Sequence, residues 1–324
     1  MGFVRILAAA STVVCFGLWI CSPALGSEAT WEDYLGKATA GFDRGKIDEA
    51  VSYGRKAIEL AEKEFGPDDL RVSRACTVLG RLYANGRQFK EAVDLLKRAL
   101  AIRLKVLEPE DPSLVRALGD LGIVHHQQRN FGEAEKYYSR ALDLDMNKPL
   151  ENRLPVAEIM NNLAVLFADQ GDLDAAETLT QKAIAVQEKA AGPNSRAVAT
   201  SLNNLASIHL QQKRFDTAVA VQEMALDTLE KAVGPDKPVV AAVSKNLARM
   251  QIAAGRPADA VQTYKKALAI VEKNFGPRHF EAAAVLTDLA RLEKKLGNEE
   301  AAEEYIRKAT EIRTLRPPPR PSGQ

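Results

Sequence analysis

Side chains able to make or break bonds are sparse in this sequence. The four histidines are His125, His126, His209 and His279, and no acid or cysteine recurs beside them at metal-ligand spacing. There is no glycine-rich phosphate loop and no nucleophile elbow. Cys76 is the one cysteine beyond residue 26, at a helix position shared with Met160 and Leu202, which predicts an inert buried thiol. A non-catalytic chain without cofactor or metal is expected. The polar groups that do recur suit holding. An asparagine amide, as at Asn161 and Asn203, both donates and accepts, so it can satisfy an extended backbone without reading its sequence. Arg81, Lys245, Arg249 and Arg291 would add recognition of acidic side chains or a terminal carboxylate.

What positions these groups is a repeat. Asn161 opens the run Asn161-Asn162-Leu163-Ala164, and Asn203 opens the same run 42 residues later. Carried along the chain, that period finds alanine at Ala50, Ala92, Ala134, Ala176, Ala218, Ala260 and Ala302. Seven residues further each time, Ala57, Ala99, Ala141, Ala183, Ala225, Ala267 and Ala309 follow. A register this strict means an array of small units, each stacked on its neighbours.

Each unit reads as two helices. In the fourth, Val156, Ile159, Met160, Leu163 and Leu166 carry a buried helical stripe, predicting a helix from about Val156 to Ala168 that ends at Gly171. Leu173, Ala176, Leu179, Ala183 and Val186 predict a second helix to about Ala191, closed by Gly192-Pro193. The first helices share Leu79, Leu121, Leu163, Leu205, Leu247 and Leu289. Away from that leucine, positions spaced i, i+3 and i+7 form one face. One column holds Thr77, Gly119, Asn161, Asn203, Lys245 and Thr287; a second, four residues on, holds Arg81, Ile123, Val165, Ser207, Arg249 and Arg291. The third, three residues before the first, holds Arg74, Arg116, Glu158, Thr200, Ala242 and Ala284. His125 and His209 fall where other units have Tyr83 and Phe167, which predicts packing and not ligation.

The ends differ from the array. Residues 1–26 carry one charge, Arg5, an apolar run from Ile6 to Cys21 and a small-residue site at Ala24-Leu25-Gly26, the layout of a secretory signal peptide cleaved near Gly26. A retained anchor and lipoprotein processing at Cys21 are the other readings of this segment. Without it basic and acidic residues balance, so no net field favours nucleic acid, and no stable membrane span is expected after cleavage. A lone cysteine permits no intrachain disulfide, and no Asn-X-Ser/Thr acceptor is present, so a periplasmic or secreted address in a bacterium fits best. Residues 316–324, opening Arg316-Pro317-Pro318-Pro319, cannot continue a helix and are expected to form an extended tail.

The recurrent leucine, the turn glycine, the bulky residue after it (Ile47, Phe89, Phe131, Leu173, Phe215) and the paired alanines resemble the tetratricopeptide repeat. The 42-residue period, the Asn-Asn-Leu-Ala opening and the Gly-Pro link resemble its kinesin-light-chain type, here in an exported form. The resemblance covers residues 29–315 as seven units. It implies an all-α, right-handed superhelical solenoid of helical hairpins whose first helices line a concave groove. It also implies that Asn161 and Asn203 pair with the backbone of a protein or peptide partner lying in that groove. The alternative is a self-associating assembly module of the cell envelope, which would need an exposed apolar strip on the outer helices.

Overall fold

The computed structural model describes residues 29–144 and 154–315. The leader at 1–26, the Met146–Pro149 link of the third unit and the tail from Arg316 lie outside the described residues. Among the described residues are fourteen helices. They run α1 (Trp31–Asp43), α2 (Ile47–Phe65), α3 (Leu70–Asn85), α4 (Phe89–Val106), α5 (Pro112–Gln127), α6 (Phe131–Asp143) and α7 (Leu154–Gln170). There follow α8 (Leu173–Ala191), α9 (Arg196–Gln211), α10 (Phe215–Val233), α11 (Pro238–Ala253), α12 (Pro257–Phe275), α13 (Phe280–Lys295) and α14 (Glu299–Leu315). None of them is long and apolar enough to cross a membrane.

Each odd-numbered helix packs on the even-numbered helix after it, giving seven hairpins, and each even helix then packs on the next odd one. Successive odd helices also approach one another from α1 to α9, while no two successive even helices come comparably close. The odd helices therefore line the inside of the curve. The result is an all-α repeat solenoid in which contacts run only between neighbours.

The alanine registers explain the close approach. All fourteen alanines are at most 3% exposed, at the crossings where a longer side chain would hold the helices apart. The same column of the first helices carries Gly80, Gly122, Ala164 and Ala206, and a Cβ at Gly122 would lie 2.3 Å from the Tyr138 ring. Turn geometry is equally repetitive. One turn residue per hairpin adopts a left-handed backbone, with φ of +75° at Gly45 and +91° at Gly171 but also +60° at Arg87 and Arg129 and +61° at Lys213. Several first helices are capped by side chains, with Asp69, Asp111 and Ser195 each accepting from a backbone N–H of the first turn.

The apolar interior is not uniform along the array. One continuous cluster runs from Trp31 to Leu166 and another from Ala199 to Ile312. Between them, where α7, α8 and α9 meet, smaller clusters such as Ala164, Ala168, Ala176 and Ile208 continue the apolar interior, and a buried polar chain also crosses the joint. Asn161 Nδ2 donates to Ser201 Oγ, which donates to Gln187 Oε1 at 2.6 Å.

Candidate interaction groove

Every odd helix from α3 onward carries the same stripe, spaced i, i+4, i+7 and i+11, exposed or half-buried throughout except at Asp120 of α5. In α7 it is Glu158, Asn162, Val165 and Asp169; in α9 it is Thr200, Asn204, Ser207 and Gln211; in α11 it is Ala242, Asn246, Arg249 and Ala253. The stripes lie side by side on the inside of the curve. Together they form the groove.

Of the sequence-predicted site residues, the arginines fall on this stripe and the other three do not. Asn161 is 7% exposed and turned into the joint between hairpins, and its Oδ1 is buried without a partner. Asn203 is half-buried; its Oδ1 accepts from Gln222 Nε2 at 3.1 Å and from Asn246 Nδ2 at 2.9 Å. Lys245, 22% exposed, forms an ion pair with Glu281 of the next hairpin at 3.4 Å. The rest of that column is likewise spent internally. Thr77 accepts from Arg103 at 3.0 Å, Thr287 accepts from Arg313 at 2.9 Å, and at Gly119 the Ile159 side chain of the next hairpin fills the space. The expectation that Asn161 and Asn203 present open amides to the groove is thus corrected by one residue. A step of one residue turns a helix by 100°, onto the face of Ala157, Ala164 and Ala168 where a neighbouring helix packs.

The residues that do face the groove at this level are Asp120, Asn162, Asn204, Asn246 and Asp288. The side chains of Asn162 and Asn204 make no hydrogen bond among the described residues, and Asn246 uses only its Nδ2. Sequence reading missed these three because i+3 and i+4 are both same-face spacings. The signal that separates them is an offset of 39 residues, which links each groove position to one on the preceding first helix. Arg81 is followed by Asp120 and Arg249 by Asp288, whereas Ile123, Val165 and Ser207 are followed by Asn162, Asn204 and Asn246.

Arg81 and Asp120 show what the charged version does. The guanidinium donates two hydrogen bonds of 3.0 Å, from Nε to Oδ1 and from Nη2 to Oδ2. Asp120 is 8% exposed, and burial pushes its carboxyl above the ordinary aspartate range, with Arg81 and Arg103 pulling the other way. A hollow of about 340 Å³ opens beside this pair between α3, α5 and α7, lined by Arg116, Ile123, Glu158, Ile159 and Asn162 among others. Toward the other end, Arg249, Asp288 and Arg291 surround the Tyr264 hydroxyl; burial raises its pKa first, Asp288 adds to this, and both arginines oppose it. Arg291 is 68% exposed, with Asp288 at 3.8 Å. Asp169 pairs with His126 Nε2 at 2.8 Å.

The remaining chemistry-bearing side chains are packed. His125 is 8% exposed and stacks on Tyr137 with centroids 5.4 Å apart, and burial lowers its pKa. His209 bonds Gln212 through Nδ1 at 3.1 Å. Burial pushes the Cys76 thiol up to about 11, which keeps it protonated and unreactive at neutral pH.

The tetratricopeptide-repeat profile matches residues 33–105, 79–147, 155–231, 198–273 and 239–314. No curated protein matches the chain. Among solved structures, BtubC (BKLC) from P. vanneervenii is 25% identical with a TM-score of 0.62, the match covering 73% of this chain and 96% of that one. A putative kinesin light chain with TPR-like repeats from Podosopora anserina is 20% identical with a TM-score of 0.51, covering 62% and 95%. A Rap protein complexed with Competence and Sporulation Factor is 16% identical with a TM-score of 0.59, covering 88% and 75%. The last two likenesses are of fold. The profile spans nearly all the described residues, and the chain belongs to the tetratricopeptide-repeat family.

Proposed function

We propose that this protein-interaction scaffold holds an extended segment of a partner protein along the groove, its backbone paired with the amides of Asn162, Asn204 and Asn246. One observation carries the reading. Three asparagines stand at one register on adjacent first helices, and two of them have no side-chain hydrogen-bond partner among the described residues. Neighbouring helices lie about 10 Å apart, and an extended chain rises about 3.3 Å per residue, so each amide meets roughly every third residue of the ligand. Thr200, Ser207 and Gln211 make the α9 stripe around Asn204 uncharged, which suits a backbone better than a charged side chain. Arg116 and Arg291 flank that stretch and would take acidic groups of the ligand. The surface is preformed, so most of the ordering cost falls on the partner. Holding, not catalysis, is the activity in this reading. The leader at residues 1–26 would deliver the scaffold outside the cytoplasm.

The self-association alternative has less support. Exposed large apolar side chains on the even helices are spread over four hairpins: Leu104 and Val106 in α4, Phe215 and Met224 in α10, Phe275 in α12 and Ile306 in α14.

The test is selection of random-sequence peptides on the intact chain, followed by calorimetry of a selected peptide. Each of Asn162→Ala, Asn204→Ala and Asn246→Ala is expected to weaken it about fivefold, the loss of roughly one net hydrogen bond. Affinity unchanged in the triple variant, or peptides that crosslink only to outer helices, would overturn the reading.

A further inference from the structure

Asn246 differs from the other two groove asparagines in having its amide held. Asn162 and Asn204 make no side-chain hydrogen bond among the described residues, so each can turn either its oxygen or its nitrogen outward. The Nδ2 of Asn246 instead donates to Asn203 Oδ1 at 2.9 Å. What holds Asn203 in turn is Gln222, on α10 behind the groove.

The direction of every amide in this chain follows from one backbone group. The Val243 carbonyl of α11 can only accept, so the Gln222 atom facing it at 3.2 Å is Nε2. The second hydrogen on that nitrogen goes to Asn203 at 3.1 Å, so the atom it meets is Oδ1. Asn246 meets the same oxygen, where only its own nitrogen can donate. The Oδ1 of Asn246 is left over, open to solvent and unbonded among the described residues.

Holding the amide this way costs stability. Gln222 is 0% exposed and its Oε1 is buried without a partner, at a place where other hairpins have Leu96 and Tyr264. An apolar side chain would pack the joint without that penalty. One hairpin earlier the chain does not form. Thr180 stands at the place of Gln222 and donates within its own helix, Asn161 turns to Ser201, and Asn204 is left unheld. Ala242 and Ala253, exposed on the same stripe as Asn246, leave room for a backbone to lie close.

Resting on the groove reading, the geometry points to Gln222 and Asn203 as positioning residues that make Asn246 a fixed acceptor. A ligand must then offer a backbone N–H at α11. The consequence is specificity. Proline has no N–H and is excluded from that ligand position. In an extended chain the N–H groups of successive residues point to opposite sides, so one fixed acceptor decides which alternate residues face the groove. Gln222 thereby sets the ligand's register, and Asn162 and Asn204 adapt to whichever group follows.

The experiment uses the full chain and a peptide selected on it from a random-sequence pool. The peptide is remade as backbone esters, so that each N–H in turn becomes an oxygen. One ester is expected to bind about tenfold more weakly, from a lost hydrogen bond and two oxygens brought face to face. In Asn246→Ala that penalty should vanish, which identifies the N–H that Asn246 accepts. In Gln222→Leu it should fall to about threefold or less, because the released amide can turn its nitrogen outward. Asn203→Ala carries the same test should Gln222→Leu unfold. A penalty undiminished in these variants would overturn the positioning role and leave the groove reading standing. So would a peptide that Asn246→Ala weakens but whose esters bind Asn246→Ala and the parent with equal penalties. Affinity unmoved by losing all three groove asparagines would overturn the groove reading, and this inference with it.

Discussion

The charged end and the amide middle of the groove's Asp/Asn column solve one geometric problem differently. Where α3 meets α5, Arg81 and Asp120 close on each other across the joint. Where α7, α9 and α11 stand side by side, Asn162 and Asn204 face the groove unbonded, with Ile123 and Val165 at the positions Arg81 would occupy. The difference teaches that this column is coupled across repeats. An arginine on one helix goes with an acid on the next, and at Arg81 and Asp120 the two make a strut; an uncharged side chain goes with an asparagine whose amide faces the groove. The strut stabilises the joint, and in the proposed function the amide serves another chain.

The comparison breaks most visibly at its charged end. Arg81→Ala should cost about 2–3 kcal/mol in urea denaturation, somewhat below the loss on breaking a fully buried pair because Arg81 is half exposed. The penalty should also depend on pH. Burial holds the folded-state pKa of Asp120 above its unfolded value, so its ionised form is a cost that Arg81 offsets. Protonation removes that cost, and the difference between variant and parent should shrink as pH falls through the raised pKa. A pH-independent difference would show that Arg81 acts through packing of its stem.

Next in size is a contrast between adjacent residues. Asn161→Ala removes a buried hydrogen bond to Ser201 and should cost roughly 1–2 kcal/mol, whereas Asn162→Ala should stay within about 0.5 kcal/mol of the parent. Equal effects would mean that the inward and outward faces of α7 are misassigned. The smallest change in stability is expected from moving the strut. Ile123→Arg with Asn162→Asp should alter stability by no more than about 1 kcal/mol, since a half-exposed pair contributes little net. It should nevertheless abolish binding of a selected peptide at that hairpin. Binding retained in this double variant would separate the amide from the function assigned to it.

Much of the fold was legible because it is written seven times. The second helix of the fourth unit was expected from Leu173 to about Ala191 and runs from Leu173 to Ala191. Alanines at fixed spacing announce helix crossings, since only a small side chain permits the approach. The candidate site was harder to read for a physical reason. A helix offers i+3 and i+4 as neighbours on one face, and beside the leucine stripe both steps pass through polar residues. In the doublet Asn161-Asn162 one amide faces a packed joint and the other faces the groove, and composition cannot distinguish them. Arg87, Arg129 and Lys213 also disguise three left-handed turns that glycine marks elsewhere.

The buried polar chain at α7–α9 has a consequence for how the molecule yields. Small apolar groups, Ala164 and Ala176 against Ile208 among them, carry the core across this joint, and the Asn161–Ser201–Gln187 chain runs through it as a polar pin. Asn162 stands on one side of that pin and Asn204 on the other. A ligand bonded to both would act as a splint, so the work of bending or melting the joint would be drawn from the binding free energy. Occupancy of the groove would then be readable as stiffness.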